Sequence, residues 1–158
     1  MSETPLKERL LPILNSLLDE TFESVQGIYL DGGTSLFETL AGISAEQASV
    51  PISDKCASIA AQVKHVNFYL EVLERYMLEN DNSRADWGEV WRTTHEVTPE
   101  EWQTIVETLK STYHRLRERL VALEDWSAER PLEGVLGIIT HTAYHLGEIR
   151  QATCVVCK

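Results

Sequence analysis

The stretch at residues 131–155 constrains the fold more than any other part of this chain. Its pattern predicts one long helix with apolar side chains around most of its circumference. The apolar residues are Val135, Leu136, Ile139, Ala143, Leu146 and Ile149, and Arg150 is the main exception. Because a helix that is apolar on most sides is buried, the sequence predicts that this segment packs among other helices.

Helical periodicity recurs in three earlier segments, and no segment carries a competing strand pattern. A capping box of Thr98 and Glu101, with Pro99 at the first helical position, marks one helix start, and Thr4 with Pro5 repeats the Thr-Pro start. The sequence therefore predicts an all-α four-helix bundle. The predicted helices span about 4–25, 54–80, 98–124 and 131–155.

The connections between these helices have unequal lengths. Residues 26–53 and 81–97 form long links, whereas 125–130 is short. A 17-residue link stretches to roughly 55 Å, so the second and third helices are free to run parallel. The short link makes the last two helices antiparallel. Both long links contain large apolar residues, which predicts that they pack over the bundle ends or a cleft.

Length and charge limit the classes of function. The 158 residues are 43% hydrophobic, which fits a single domain over residues 1–158. The chain has 14 basic and 25 acidic residues, a net charge of −11 with neutral histidines. Because such a surface repels a phosphate backbone, we expect no nucleic-acid partner.

Targeting patterns and cysteines point to a soluble cytoplasmic protein. The first 20 residues lack the basic start and apolar run of a secretory signal, and no apolar run reaches the roughly 18 residues that span a membrane. Three cysteines, an odd number, argue against a secreted disulfide framework. The pair Cys154 and Cys157 lacks the strand-turn-helix context of a redox motif, so we interpret these residues as small core residues or exposed thiols.

The last predicted helix also carries a polar stripe. His141, His145 and Glu148 fall within about 60° of one another on the helical wheel. Burying two imidazoles and a carboxylate along one line is costly unless each is hydrogen-bonded, protonated or coordinated. A metal ion would satisfy them together.

The second predicted helix supplies a third candidate ligand, His65, on the flank of its apolar arc. If the second and fourth helices are antiparallel, His65, His141 and His145 lie within one helical turn of the same level. Neutral imidazole favours a divalent transition metal, zinc or nickel first, then iron, copper or manganese. Three protein ligands leave a coordination position open for water or substrate, as in catalytic sites.

Simpler interpretations stay open at this point. Five histidines in a chain of this length give about 0.15 pairs at i,i+4 by chance, so these histidines also fit a role in packing. Tyr69 and Tyr144 are near enough in sequence to reach the site or to form a cavity wall. Trp87 and Trp91 either line a pocket or plug an end of the bundle. His95 and His114 have no partner at metal-ligand spacing, which predicts surface positions.

The segments "QVKHVNFYLEVL", "IITHTAYHLGEIRQA" and "TSLFETLAGISAEQASVPIS" together resemble the DinB/YfiT-like metalloenzyme superfamily over nearly the whole chain. The resemblance implies an up-down-down-up bundle, a homodimer and a three-histidine metal site at His65, His141 and His145. Glutamine is common in the family where Glu148 stands. Glu148 is therefore a candidate to bind the metal, to orient a ligand or to cap the cavity.

The resemblance also implies a type of activity. Characterised relatives are transferases or isomerases that act on small molecules with a low-molecular-weight thiol such as bacillithiol or mycothiol as cosubstrate. Our hypothesis is a metal that holds the substrate thiol as a thiolate for attack on an electrophile. The alternatives are a metal-dependent hydrolase and a non-catalytic, metal-occupied module for binding or stress response.

Overall fold

The computed structural model describes residues 5–157, and the regular secondary structure of these residues is entirely helical. This confirms the all-α prediction. Four long helices correspond to the four predicted ones, and three short helices lie in the links. The helices are α1 (Leu6–Phe22), α2 (Leu36–Leu40), α3 (Ala45–Ser49), α4 (Ile59–Leu78), α5 (Glu89–Thr93), α6 (Pro99–Ala122) and α7 (Glu129–Val156).

Side-chain caps set several of the helix starts. The capping box of Thr98 and Glu101 is present at the start of α6, as predicted. Helix α4 begins five residues later than predicted, because the Ser58 side chain accepts a hydrogen bond from the backbone N–H of Ala61 and so fixes the first turn there. The predicted cap at Thr4 lies outside the described residues.

Helices α4 and α6 run parallel. Near their C-terminal ends, the buried Glu74 carboxylate accepts a 2.7 Å hydrogen bond from Arg115. Near their N-terminal ends, Lys64 and Thr104 line the same small cavity. Contacts that advance in the same direction along both helices require parallel axes, which the long link between them permits.

Helix α7 runs antiparallel to α4. His65 on α4 faces His141 on α7, whereas Met77, further along α4, meets the earlier Gly134 on α7. A side chain at position 134 would collide with the Met77 side chain, so glycine allows the two helices to approach closely here. This close approach brings the histidine-bearing faces of α4 and α7 together.

Helix α1 completes the bundle and runs antiparallel to α6. Lys7, at the start of α1, pairs with Glu124 just after the end of α6, at 2.7 Å. Asp19, near the end of α1, pairs with Arg117 inside α6. Together with the directions of α4 and α7, these contacts give the predicted up-down-down-up order.

The core lies between the four long helices and continues under the first long link. Tyr113 of α6 stacks on Phe22 of α1, with ring centroids 4.3 Å apart. The Trp102 indole N–H donates a 2.8 Å hydrogen bond to the Ile43 carbonyl and fixes the link against α6. The link's large buried apolar residues, which confirm that it packs on the bundle, are Leu36, Phe37, Leu40 and Ile43.

Most of the apolar side chains named for this helix are buried, as predicted, but one side of α7 is exposed. Leu136 is 43% exposed and Tyr144 is 63% exposed. The reason is that α7 packs against α4 and α1, which leaves its remaining side without a covering helix. In the part of the chain that the structure describes, no helix is both long enough and apolar enough to cross a membrane.

The first link is anchored by a buried carboxylate. Glu20 on α1 has no exposed surface, and both of its oxygens accept hydrogen bonds from backbone N–H groups. The four donors, at 2.6 to 3.0 Å, are the N–H groups of Gln26, Ile28, Tyr29 and Leu30. Burial raises the pKa of Glu20, but these hydrogen bonds outweigh it and hold the pKa below its ordinary value.

Candidate metal centre

Helices α4 and α7 bring three histidines together in the interior of the bundle. His65 and His145 are buried and His141 is partly buried. One ring nitrogen of each lies within 4.8 Å of the corresponding nitrogens of the other two. Since His141 and His145 are one turn apart and the helices are antiparallel, the three side chains meet at one level, as the count of residues along each helix predicted.

The three imidazoles are uncharged near neutral pH. Burial, together with the nearby His145, lowers the pKa of His65 to about 4. Burial and the two other histidines likewise lower the pKa of His141 to about 4. Burial also lowers the pKa of His145, against the opposing influence of Glu148. Neutral imidazoles keep a lone pair free for a metal ion.

The protein orients His145 through its second ring nitrogen. The Nδ1 atom lies 3.0 Å from a Glu148 oxygen and 3.2 Å from the Gln62 amide oxygen. A ring nitrogen between two oxygen acceptors carries the proton, so Nε2 is the unprotonated atom. A carboxylate that accepts from the far nitrogen of a histidine is the usual support of a metal-binding imidazole.

The other two histidines are held by aromatic rings. Tyr69 stacks on His141, with centroids 3.7 Å apart and planes 11° apart. Gly137 leaves room for the Tyr69 hydroxyl, which would lie 3.3 Å from an added Cβ. Trp91 packs on His65 at 4.4 Å between centroids. These contacts fix ring positions without supplying a hydrogen-bond partner.

A cavity of about 650 Å³ opens beside His145. Its size is in the range of small-molecule sites. Its lining mixes apolar side chains with a few polar ones, among them one lysine and one glutamate. The lining residues are Ile52, Lys55, Cys56, Ala57, Gln62, Trp91, Tyr144, His145, Gly147, Glu148, Gln151 and Ala152.

One pair of ring nitrogens has the spacing of ligands on a transition metal ion. The Nε2 atoms of His65 and His141 are 3.2 Å apart. Nitrogen ligands on a tetrahedral zinc ion are spaced at roughly 3.3 Å, given bonds of about 2.0–2.1 Å. At this distance either one neutral imidazole donates its N–H to the other ring nitrogen, or both nitrogens bind one metal ion.

Comparison with known proteins assigns the family. The family model of the DinB superfamily matches residues 31–149, about three quarters of the chain. The chain belongs to the DinB superfamily. DinB proteins are generally metal-binding, and the matched region includes His65, His141 and His145. No curated protein and no solved structure matches the chain significantly.

The remaining predicted residues of this DinB protein fall into two groups. Glu148, Tyr144 and Trp91 line the cavity beside His145. Tyr69 and Trp87 contact each other and lie against the histidines, but Trp87 lines a different cavity, formed with residues 83–86.

Two further histidines and the cysteine pair lie at the surface. His95 and His114 are exposed, as predicted. Cys154 and Cys157 are exposed free thiols, one of the two interpretations offered from the sequence. None of the four lines the cavity beside His145.

Sequence reasoning missed Gln62 and the cavity wall formed by residues 52–57. Gln62 lies three residues before His65, one helical turn away on the same face, and that spacing identifies it in retrospect. The wall residues belong to the turn between α3 and α4 and carry no periodic pattern. Only the folded chain brings them beside α7.

Proposed function

We propose that this DinB protein is a divalent-metal-dependent enzyme that joins a low-molecular-weight thiol to a small electrophile, in an S-transferase or isomerase type of reaction. His65, His141 and His145 bind the ion, zinc or nickel by preference and iron or manganese as further candidates. The observation that carries the proposal is the convergence of three uncharged imidazoles beside a 650 Å³ cavity. Three ligands with an open side are typical of catalytic metal sites.

The metal, when bound, lowers the pKa of a substrate thiol so that it reacts as a thiolate near neutral pH. Glu148 keeps the proton of His145 on Nδ1 and so leaves Nε2 free to bind. Trp91 and Tyr144 form part of the cavity wall against which the reactants would bind. In the transferase reaction a sulfur–carbon bond forms, the leaving group departs with its electron pair, and the thiol proton passes to solvent. In an isomerase reaction the thiol would add to the electrophile and be released again, so that no leaving group is lost.

The first test is the metal content of protein purified without an affinity tag, measured by elemental analysis. We expect about one transition metal ion per chain in the wild type and none in His65→Ala or His145→Ala. His114→Ala is the matched control, because His114 is an exposed histidine of α6. A wild-type protein that is metal-free and takes up neither zinc nor nickel would overturn the proposal.

The second measurement separates the proposed reaction from its alternatives. The metal-loaded protein is mixed with 1-chloro-2,4-dinitrobenzene and, in separate assays, bacillithiol or mycothiol. We expect chloride release that needs both the thiol and the metal and that disappears in His145→Ala. Hydrolysis of 4-nitrophenyl acetate without any thiol, lost in the same variant, would replace the proposal with a hydrolase. A metal-loaded protein that is inactive in every assay would favour the non-catalytic module.

A further inference from the structure

The cavity beside His145 contains one positively charged and one negatively charged side chain. These are Lys55, in the turn before α4, and Glu148, on α7. One oxygen of Glu148 lies 3.0 Å from His145 Nδ1, so its charge is directed at the ring. Among the described residues, no carboxylate lies within ion-pair distance of Lys55. The lysine charge is therefore free to meet a ligand.

The chain as a whole disfavours anionic ligands. With 25 acidic and 14 basic residues, its long-range field repels negative charge. Besides the proposed metal ion, Lys55 is the positively charged side chain that the cavity lining offers to an anion. A carboxylate close to Lys55 would gain a charge-assisted hydrogen bond, which a neutral group cannot replace.

The turn that carries Lys55 is held by local hydrogen bonds. The backbone N–H of Lys55 donates to the Ser53 hydroxyl at 3.3 Å, and the N–H of Cys56 donates to the Ser53 carbonyl at 3.0 Å. The same segment leads directly into Ser58, the cap of α4. The position of Lys55 on the cavity wall is thus tied to the helix that carries His65.

We infer that Lys55 determines specificity for a small thiol that bears a carboxylate, with the sulfur at the three-histidine site and the carboxylate at Lys55. The inference rests on the proposed function and adds the chemical class of the cosubstrate. The cavity of about 650 Å³ is lined by both Lys55 and His145 and is large enough for such a ligand. Gln62 and Gln151 offer neutral hydrogen-bonding groups along the same wall.

The test uses the cobalt-loaded protein, because a thiolate on cobalt gives a near-ultraviolet absorption band that reports binding without turnover. Two probes are titrated, 3-mercaptopropionate and the uncharged 2-mercaptoethanol. We expect Lys55→Met to weaken binding of 3-mercaptopropionate by about 3- to 10-fold and Lys55→Glu to weaken it further. Binding of 2-mercaptoethanol stays unchanged in Lys55→Met. Added salt reduces the affinity for 3-mercaptopropionate in the wild type more than in Lys55→Met.

Lys64→Met is the matched control, since Lys64 lines two other cavities and not the one beside His145. This variant should bind both thiols like the wild type. Equal affinities of the wild type and Lys55→Met for 3-mercaptopropionate, or an equal loss for both thiols, would overturn the role of Lys55. Absence of the band with either thiol in the wild type would instead refute thiol binding and hence the proposed function.

Discussion

Glu20 on α1 and the three histidines on α4 and α7 are ionisable groups inside the bundle. The surroundings of Glu20 favour its charged form, whereas those of the histidines favour the neutral form. Glu20 has no exposed surface and receives four backbone N–H donors, so its charged form is stabilised inside the protein. The pKa values of His65 and His141 are lowered to about 4, which for a base means that the charged form is destabilised. A lowered pKa therefore means that the charged form is favoured at Glu20 and disfavoured at His65 and His141.

The two regions also differ in how completely the chain satisfies its polar atoms. Both Glu20 oxygens have partners, whereas His65 Nδ1 is buried with no hydrogen-bond partner among the described residues, and the Nε2 atoms of His65 and His141 face each other. Leaving a buried polar atom unpaired costs stability. Glu20 is thus fully paired within the chain, whereas the histidine site keeps one polar atom without a partner, which agrees with the proposed binding of a metal ion there.

The largest predicted effect concerns Glu20. In Glu20→Gln the amide keeps one acceptor oxygen but turns N–H donors toward backbone N–H donors, so buried groups lose their partners. We expect Tm near neutral pH to fall by roughly 6–12 °C, measured by differential scanning calorimetry. Glu118→Gln is the control, because Glu118 is an exposed carboxylate on α6 and should leave Tm unchanged within about 2 °C.

The pH dependence of this difference follows from the direction of the shift. The folded pKa of Glu20 lies below the ordinary value of 4.5, so the unfolded chain takes up the proton first as pH falls. The stability that ionised Glu20 contributes is present above pH 4.5 and is lost as pH falls through the folded pKa. The gap in Tm between wild type and Glu20→Gln should therefore narrow below pH 4.5. A gap that widens there would contradict the assignment.

A smaller effect is expected from Glu148, which contacts the proposed metal ligand His145. Replacing it by leucine removes the acceptor at His145 Nδ1, and losses of such support typically weaken metal affinity by about 10- to 100-fold. Glu148→Gln keeps an acceptor oxygen and should lose less. Zinc affinity is measured by competition with a chromophoric chelator. Gln151→Leu is the control, because Gln151 lines the same cavity but is not a hydrogen-bond partner of His145, and this variant should bind zinc normally.

Much of the helical scaffold could be predicted because its determinants are local. Thr98 and Glu101 mark the start of α6 with a capping box, and the apolar periodicity of the long helices identifies the other three. The three histidines could be brought to one level by counting residues, since an α-helix rises by a constant amount per residue. The short helices α2 and α3 also begin at capping boxes, but five residues are too few to show a period.

The rest of the site depends on contacts between distant parts of the chain. Trp91 reaches His65 only because the second long link folds back over α4, and no local pattern specifies that path. Lys55 lies on the cavity wall because the turn before α4 approaches α7. The exposure of Tyr144 likewise depends on which side of α7 no other helix covers. Periodicity gives the faces of a helix, but neighbouring elements decide which face is covered.

The smallest predicted effect is a change in the free energy of unfolding of the metal-free protein. It tests whether the histidine site contributes to stability when no metal is bound. In His65→Leu a buried ring with an unpaired Nδ1 gives way to an apolar side chain beside Trp91. We expect the free energy of unfolding of the metal-free protein to stay within about 1 kcal/mol of the wild type, measured in urea. Zinc at 100 times its Kd should stabilise the wild type by about 2.7 kcal/mol and the variant hardly at all. A loss above about 2 kcal/mol without metal would instead show that the His65 side chain itself stabilises the fold, as Glu20 does.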